Sequence, residues 1–481
     1  MKSRIITIAA IIGLMATACN KENELPQQGE LIQTPITISA NYENNSSKVS
    51  YSESGNSISA KWEAGDELLV CYDGQVSTLT LTGGAGEVSA TFTGNISHTH
   101  ELTANSMLVC YVKDRNAPNG AVTVSGTGTY TYSDGAFLGQ DGTLAGAAKC
   151  NLYYGATFYG DGTNINCTFN VNTSMMKFDI FVPMGHAGTT KTLSYMSDEA
   201  ELARATFTVG DYGMNTIYMA IPAGHYEGSQ NLRYDNNSYT LSSTQANFVA
   251  GQTYCKKAFY DVTLIDLATL NGRGEITLEN GDVVIGTQQG NAVLTNSWKK
   301  ISIADGATVI ISDITIPDGN GTRYQFAGIN CNGDATIVLH GTNNVGAPTQ
   351  NYPAIYIPTR HTLTIDGKGS LTANSGAYVN GSGSGLSAGI GGSSSVDCGN
   401  IDIKGGSITA NGMNGSPGIG GGLEHACGNI TIRNTVTSVT ATKGSQATNS
   451  IGASNGGTCG TVTIGGTVTG NISTSPYTYQ P

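Results

Sequence analysis

Charge is scarce in this chain. Asp, Glu, Lys and Arg make up only 12% of its 481 residues, and the 23 basic residues are outnumbered by 35 acidic ones. No basic stripe is present to neutralise phosphates, so nucleic acid is excluded as a partner. Long apolar runs are missing too. Past the N-terminal segment none approaches the roughly 20 residues that a membrane-spanning helix needs, and no long helical pattern appears. Cys-x-x-Cys and zinc-type Cys/His spacings are absent, which removes the usual structural zinc sites. After residue 300 the acidic residues (Asp305, Asp313, Asp318, Asp334, Asp366, Asp397, Asp402 and Glu424) are scattered. A glycoside hydrolase clusters an acid with a base or nucleophile, and a lyase sets a basic residue beside calcium ligands, whereas Arg323, Arg360 and Arg433 accompany no acidic cluster. Neither catalysis nor a cofactor or metal is expected.

Glycine is what the chain has in abundance, 65 residues among many Thr, Ser and Asn, a composition that points to an extracellular all-β protein. The length suggests two or three domains. One phrase is written three times between 386 and 464: Gly389-Ile390-Gly391 then Cys398-Gly399-Asn400-Ile401; Gly418-Ile419-Gly420 then Cys427-Gly428-Asn429-Ile430; Ile451-Gly452 then Cys459-Gly460-Thr461-Val462. The cysteines and the isoleucines are both spaced by 29 and then 32 residues. Such a period marks stacked repeats, and the alternation within each copy predicts strands. The unit is one turn of a right-handed parallel β-helix, with Ile401, Ile430 and Val462 as one inward ladder and Ile403, Ile432 and Ile464 as another. Weaker copies opening at Ile276, Ile301, Ile337 and Leu363 extend it over 262–475, about seven coils and roughly 34 Å of axis, ahead of a tail at 476–481.

At the other end Lys2 and Arg4 precede an apolar run from Ile5 to Ala16, which reads as a secretory signal over 1–18. Leu14-Met15-Ala16-Thr17-Ala18-Cys19 resembles a bacterial lipobox, with Ala16 where leucine is usual. That resemblance implies cleavage before Cys19, lipidation of Cys19 and an outer-membrane lipoprotein exposed at the cell surface, because several acyl chains anchor stably. Without Lys2 and Arg4 the basic residues fall from 23 to 21 against 35 acidic, a net charge of −14. Residues 19–33 are polar and read as an extended tether.

Nine further cysteines remain. Cys71, Cys110, Cys150, Cys167 and Cys255 leave disulfide pairing open, and Cys331 stands apart early in the solenoid. Cys398, Cys427 and Cys459 read as a packed column of small apolar thiols. His98 and His100 share a strand face without a third ligand and read as solvent-facing, and Asp318-Gly319-Asn320-Gly321 reads as a turn.

From about 34 the chain is strand after strand between turn signals, spaced as in a β-sandwich. Lys48-Val49-Ser50-Tyr51, then Trp62-Glu63-Ala64-Gly65-Asp66, resembles the opening of the fimbrillin family. Tyr130-Thr131-Tyr132 with Gln140-Asp141-Gly142 is similar to the family's inter-domain stretch, and Ile217-Tyr218-Met219-Ala220-Ile221 and Phe248 to Tyr254 are similar to its last strands. The resemblance, over about 34–260, implies two transthyretin-like β-sandwich domains, 34–145 and 146–261, and a place among the subunits, anchors and tips of surface fimbriae. Two departures stand out: no arginine lies between Arg4 and Arg115 for a trypsin-like maturation cut, and the chain continues into a solenoid. The solenoid itself resembles glycine-rich β-helix modules labelled carbohydrate-binding. On it, alternation through Asn351 to Arg360 turns Ile355 and Ile357 inwards and Tyr352 and Tyr356 outwards, with Arg360 nearby. These three residues are the candidate ligand-binding site, suited to stacking and hydrogen-bonding a sugar; alternatively the tyrosines cover a solenoid edge or dock the sandwich. The expected function is non-enzymatic adhesion, as a fimbrial tip, accessory component or stand-alone adhesin, with fimbrial subunits, carbohydrate or a host or bacterial surface ligand as partners. Polysaccharide capture is the second reading, and a β-helix polysaccharide lyase a distant third.

Overall fold

Ile36, Ile38 and Ala40 alternate with polar residues along the strand Ile32–Tyr42, and the computed structural model buries all three. The structure describes residues 31–42, 50–54, 57–102, 107–112, 122–124, 130–132, 135–150, 152–160, 163–171, 173–241, 243–270, 274–286, 292–293, 299–318, 325–376, 386–394, 396–465, 468–469 and 477–479. They fall into two units, one running to Tyr260 and the other from Asp261 onwards, which also takes Val182–Gly185.

The first unit begins with a sheet that closes on itself, in the order Ile32–Tyr42, Asn164–Val171, Leu152–Gly160, Leu108–Val112, Glu67–Tyr72, Gln75–Gly83, Ser89–His98. Trp62 plugs it as the sequence predicts, fully buried, edge-on to Phe92 at 4.9 Å and to Phe169 at 5.9 Å. The turn after it is tied by the Asp66 carboxylate, which accepts the Glu63 N–H at 2.7 Å, with Gly65 at φ +91°. Two expectations change here. The sheet is a seven-stranded barrel, and its last two strands lie beyond the expected boundary at 145/146. Without them Leu108–Val112 and Ile32–Tyr42 would expose unpaired edges. Leu152–Gly160 covers the first in antiparallel pairing and Asn164–Val171 covers the second in parallel pairing, which removes the edges altogether. His98 is also not solvent-facing. It is 5% exposed, with Nε2 2.8 Å from Thr34 Oγ1 and Nδ1 2.7 Å from the His100 carbonyl, while exposed His100 turns to Asp73.

Beside three two-stranded pairings, the rest of this unit is built on two larger sheets, Met214–Pro222, Thr173–Phe181, Thr253–Phe259 and Ala200–Thr208, Thr190–Ser197, Gln230–Tyr234, Asn237–Thr240. The segment before residue 150 belongs with them. Gln140 is buried and works as a piece of strand, its amide donating to the Phe137 and Ala220 carbonyls and accepting the Ala220 N–H at 2.7 Å. Thr143 then caps the short helix Leu144–Ala148 by accepting the Gly146 N–H at 2.9 Å. Cys71, Cys150 and Cys167 are buried and form no disulfide; burial pushes the last two thiols up to about 12.

The second unit is a three-faced parallel solenoid. Each strand pairs with the third strand after it, except that Leu264–Asp266 and Val462–Ile464 pair with the second, giving one sheet of nine strands and two of seven. Ile401 lies over Ile430 and Val462, and Ile403 over Ile432 and Ile464, all within 2% of full burial. The weaker copies divide between faces. Ile337–Leu339 and Leu363–Ile365 share the nine-stranded sheet with Ile401, whereas Ile276–Leu278 and Ile301–Ile303 pair within the sheet that later carries Ile390–Gly391, Ile419–Gly420 and Ile451–Gly452. The expected tail differs too, since Tyr477–Tyr479 alternates as a strand and pairs with Val462–Ile464.

The repeated phrase has a local cause in each half. Gly391, Gly420 and Gly452 hold φ of 128°, 142° and 113°, and a Cβ on Gly420 would sit 2.0 Å from the Gly452 carbonyl oxygen. The Cys398 thiol donates to that same turn of the next coil, at Gly420 O, 3.4 Å, and Cys427 to Gly452 O, 3.6 Å. At the following corner the Asn400 side chain accepts the Asn429 N–H and the Asn429 side chain accepts the Thr461 N–H, both at 2.8 Å.

Gly420→Ala meets both a positive φ and a backbone clash, and Ile430→Asp buries an unpaired charge. Each should cost about 3 kcal/mol or more. In urea melts followed by hydrogen exchange, the unit from Asp261 should open first while the barrel keeps its protection. A single shared loss of both units would overturn the independence assumed here.

Candidate functional site

Asn351 to Arg360 enters the solenoid at the strand Ile355–Tyr356. Ile355 and Ile357 are fully buried, and Tyr352 and Tyr356 are half-buried. The Tyr356 hydroxyl donates to the Asp397 carbonyl at 3.4 Å. Burial pushes both phenols up, with Cys398, Asp397 and Tyr352 adding to the effect at Tyr356. Arg360 is exposed in the turn beyond, at φ +71°. The structure thus gathers the tyrosines and sets Arg360 at the next corner. Along the stack, Tyr356 follows Ser302 and Asn330 and precedes Gly391, Gly420 and Gly452, so no side chain of its own column lies over it on the later coils.

A second feature escaped the sequence reading. The strands Ser370–Asn374, Ser407–Asn411 and Ser438–Thr442 read Ser-Leu-Thr-Ala-Asn, Ser-Ile-Thr-Ala-Asn and Ser-Val-Thr-Ala-Thr. They pair in full register. Leu371, Ile408 and Val439, with Ala373, Ala410 and Ala441, fill the core side, and every Ser, Thr and Asn lies on the other. The result is a grid of hydroxyls and amides spaced by about 4.8 Å between rungs and roughly 6.8 Å along each strand. Asn411 donates to Asn374 Oδ1 at 2.8 Å, which fixes the amides' direction along one edge. Each hydroxyl both donates and accepts, and none of these groups titrates near neutrality. Three near-identical pentapeptides were the signal available in the sequence.

Four of the solenoid's carboxylates are staples between rungs. Asp305 accepts the Asp334 N–H, Asp334 that of Thr362, Asp313 that of Thr342 and Asp397 that of Ala426, at 2.7–2.8 Å. The Ala426 N–H first, and then His425, holds the Asp397 carboxyl below its usual range. A general acid at neutral pH needs the opposite shift. Asp305, Asp334 and His361 bring two carboxylates and an imidazole within 4.8 Å of one another at a surface corner, the atom types a divalent cation would use, and one oxygen of each carboxylate is already committed to a backbone N–H. Cys19 and residues 319–321 lie outside the described residues.

No family model and no curated protein matches the sequence. Among solved structures, a candidate cell adhesion protein from Bacteroides uniformis is 13% identical, with 47% of this chain and 92% of that chain covered and a TM-score of 0.27. A fimbrial assembly protein from Parabacteroides distasonis is 10% identical over 47% and 91%, with a TM-score of 0.23. A fimbrial protein from Bacteroides ovatus is 8% identical over 47% and 50%, also at 0.23.

Asn429→Ala leaves the Thr461 N–H to water at a surface corner and should lower the stability of the second unit by about 1 kcal/mol. Asn429→Asp keeps the acceptor and should recover most of that loss. Chemical denaturation of the two variants measures it, and equal losses would mean that the bond to Thr461 carries no stability.

Proposed function

We propose that the chain is a non-enzymatic cell-surface adhesin whose solenoid holds a carbohydrate. The observation that carries this reading is the in-register Ser-x-Thr-x-Asn grid, rigid because each strand is locked to two neighbours by the backbone ladder. Repeating hydroxyls and amides match the hydroxyls of a glycan chain and offer no group for acid–base work. The stapled carboxylates support the absence of catalysis. On this reading the barrel and the sheets after it are transthyretin-like, Cys19 carries a lipid in the outer membrane, and the right-handed solenoid serves the chain as a fimbrial tip, accessory component or lone adhesin. Capture of polysaccharide for uptake would use the same face.

A glycan array probed with the mature chain tests the central claim. Thr409→Arg, which sets a bulky charge at the centre of the grid, should weaken binding at least tenfold, and Tyr356→Ala should leave it within about twofold. The reverse result would move the site to Tyr352, Tyr356 and Arg360, and no glycan binding at all would reject carbohydrate. In cells, Cys19→Ser should release the protein from the membrane fraction; retention after a high-salt wash would reject the lipid anchor.

A further inference from the structure

Three thiols stand in one column at a corner of the solenoid. Cys398, Cys427 and Cys459 occupy successive rungs, and Cys427 and Cys459 face each other as parallel bridge partners. Their sulfurs are 2.7 Å apart, well inside the roughly 3.5–4.0 Å at which even unbonded carbon atoms rest. Rungs about 4.8 Å apart also set the two Cα atoms within the span of about 4.4–6.8 Å that a disulfide bridges. Cys427 is 6% exposed and Cys398 4%, whereas Cys459 is half-buried.

We propose that Cys427 and Cys459 are a redox pair that closes as a disulfide between two rungs near the C-terminal end of the solenoid, with Cys398 as a third thiol able to take over the bond. A small-molecule disulfide is the oxidant. Cys459, the accessible sulfur, attacks it as the thiolate and releases one small thiol, which takes up a proton. Cys427 then attacks the Cys459 sulfur and expels the second small thiol. The protein loses two electrons and two protons, and the small disulfide gains both. In the exchange step Cys398 attacks the Cys427 sulfur, the bond to Cys459 breaks, and the proton from Cys398 ends on Cys459 with no net oxidation. The hydrogen bond with Cys398 and burial push the Cys427 thiol up, and contact with Cys427 and burial do the same at Cys459, so closure is slow at neutral pH and faster in mild alkali.

The position suits a lock. A solenoid coil touches only its neighbours, so the stack unzips from its ends. A bond from 427 to 459 closes a 32-residue loop across one such step, which by loop entropy is worth a shift of about 10 °C in the unit's melting midpoint.

Trypsin reads the pairing directly, since cleavage at Lys368, Lys404, Arg433 and Lys443 leaves each of the three cysteines in its own peptide. The full mature chain is incubated with excess oxidised glutathione at pH 8, its remaining thiols are alkylated under denaturing conditions, and it is digested without reductant. The expected product joins the peptides of Cys427 and Cys459, with Cys398 alkylated. Cys459→Ala should move the link to Cys398 and Cys427, and Cys398→Ala should leave it in place. Reduction should lower the unit's melting midpoint in the wild type and in Cys398→Ala alike. Alkylation of all three cysteines after oxidation, or glutathione held on Cys459 alone, overturns the proposal, and neither readout needs a variant to fold.

Discussion

Stacking in register is the constraint from which the solenoid's other features follow. When rungs repeat at about 4.8 Å, every side chain lies directly over its counterparts on the coils before and after. A residue is therefore acceptable only if it tolerates copies of itself. Inward isoleucines do, because apolar surfaces pack on one another. Asparagine does at a corner, because its carbonyl accepts the N–H of the equivalent residue one rung on, as Asn400 and Asn429 show. An unpaired like charge does not, and Asp305, Asp313, Asp334 and Asp397 are each turned onto a backbone N–H of the following coil.

The same constraint explains why the two halves of the repeated phrase keep their spacing. The thiol of one coil donates to the second glycine's carbonyl on the next, at 3.4 Å from Cys398 and 3.6 Å from Cys427. That carbonyl approaches so closely because the glycine beneath it has no Cβ, which would lie about 2 Å from it. Glycine and cysteine are thus parts of one contact between adjacent rungs, and an insertion between them is confined to the loop that joins them.

Periodicity made the ladders of Ile401 and Ile403 legible, because it reports which residues share a rung position. It does not report which of three faces they occupy, and for that reason Ile276 and Ile301 look like Ile337 and Leu363 in the sequence although they lie in a different sheet. In the first unit, alternation and Trp62 revealed the buried faces. Closure of the barrel was not legible, since it depends on Asn164–Val171 pairing in parallel with a strand more than a hundred residues earlier, and no local pattern encodes such a partner. His98 looked exposed for a related reason: its burial comes from Thr34 and Tyr72, on other strands. The Ser-x-Thr-x-Asn grid was written in plain view, but polar residues between turn signals look like ordinary solvent-facing positions until their register is known.

Register also separates the two kinds of site this solenoid can offer. A catalytic centre needs one side chain unlike its neighbours, with its protonation tuned by a local environment that no other rung shares. Columns that copy themselves work against that, and one place where a column breaks sharply is Tyr356, between Asn330 and Gly391. There the side chain is a phenol pushed further from titration by burial. Repetition instead produces a surface whose groups recur at fixed intervals, and a surface of that kind is complementary to a ligand with its own repeat. On the proposed reading, the grid of Thr372, Thr409 and Thr440 would gain contacts with every unit of a polymer that follows it, and its affinity would accumulate from weak and interchangeable hydrogen bonds. The glycan adhesion proposed above would thus draw on the same stacking rule that holds the fold together.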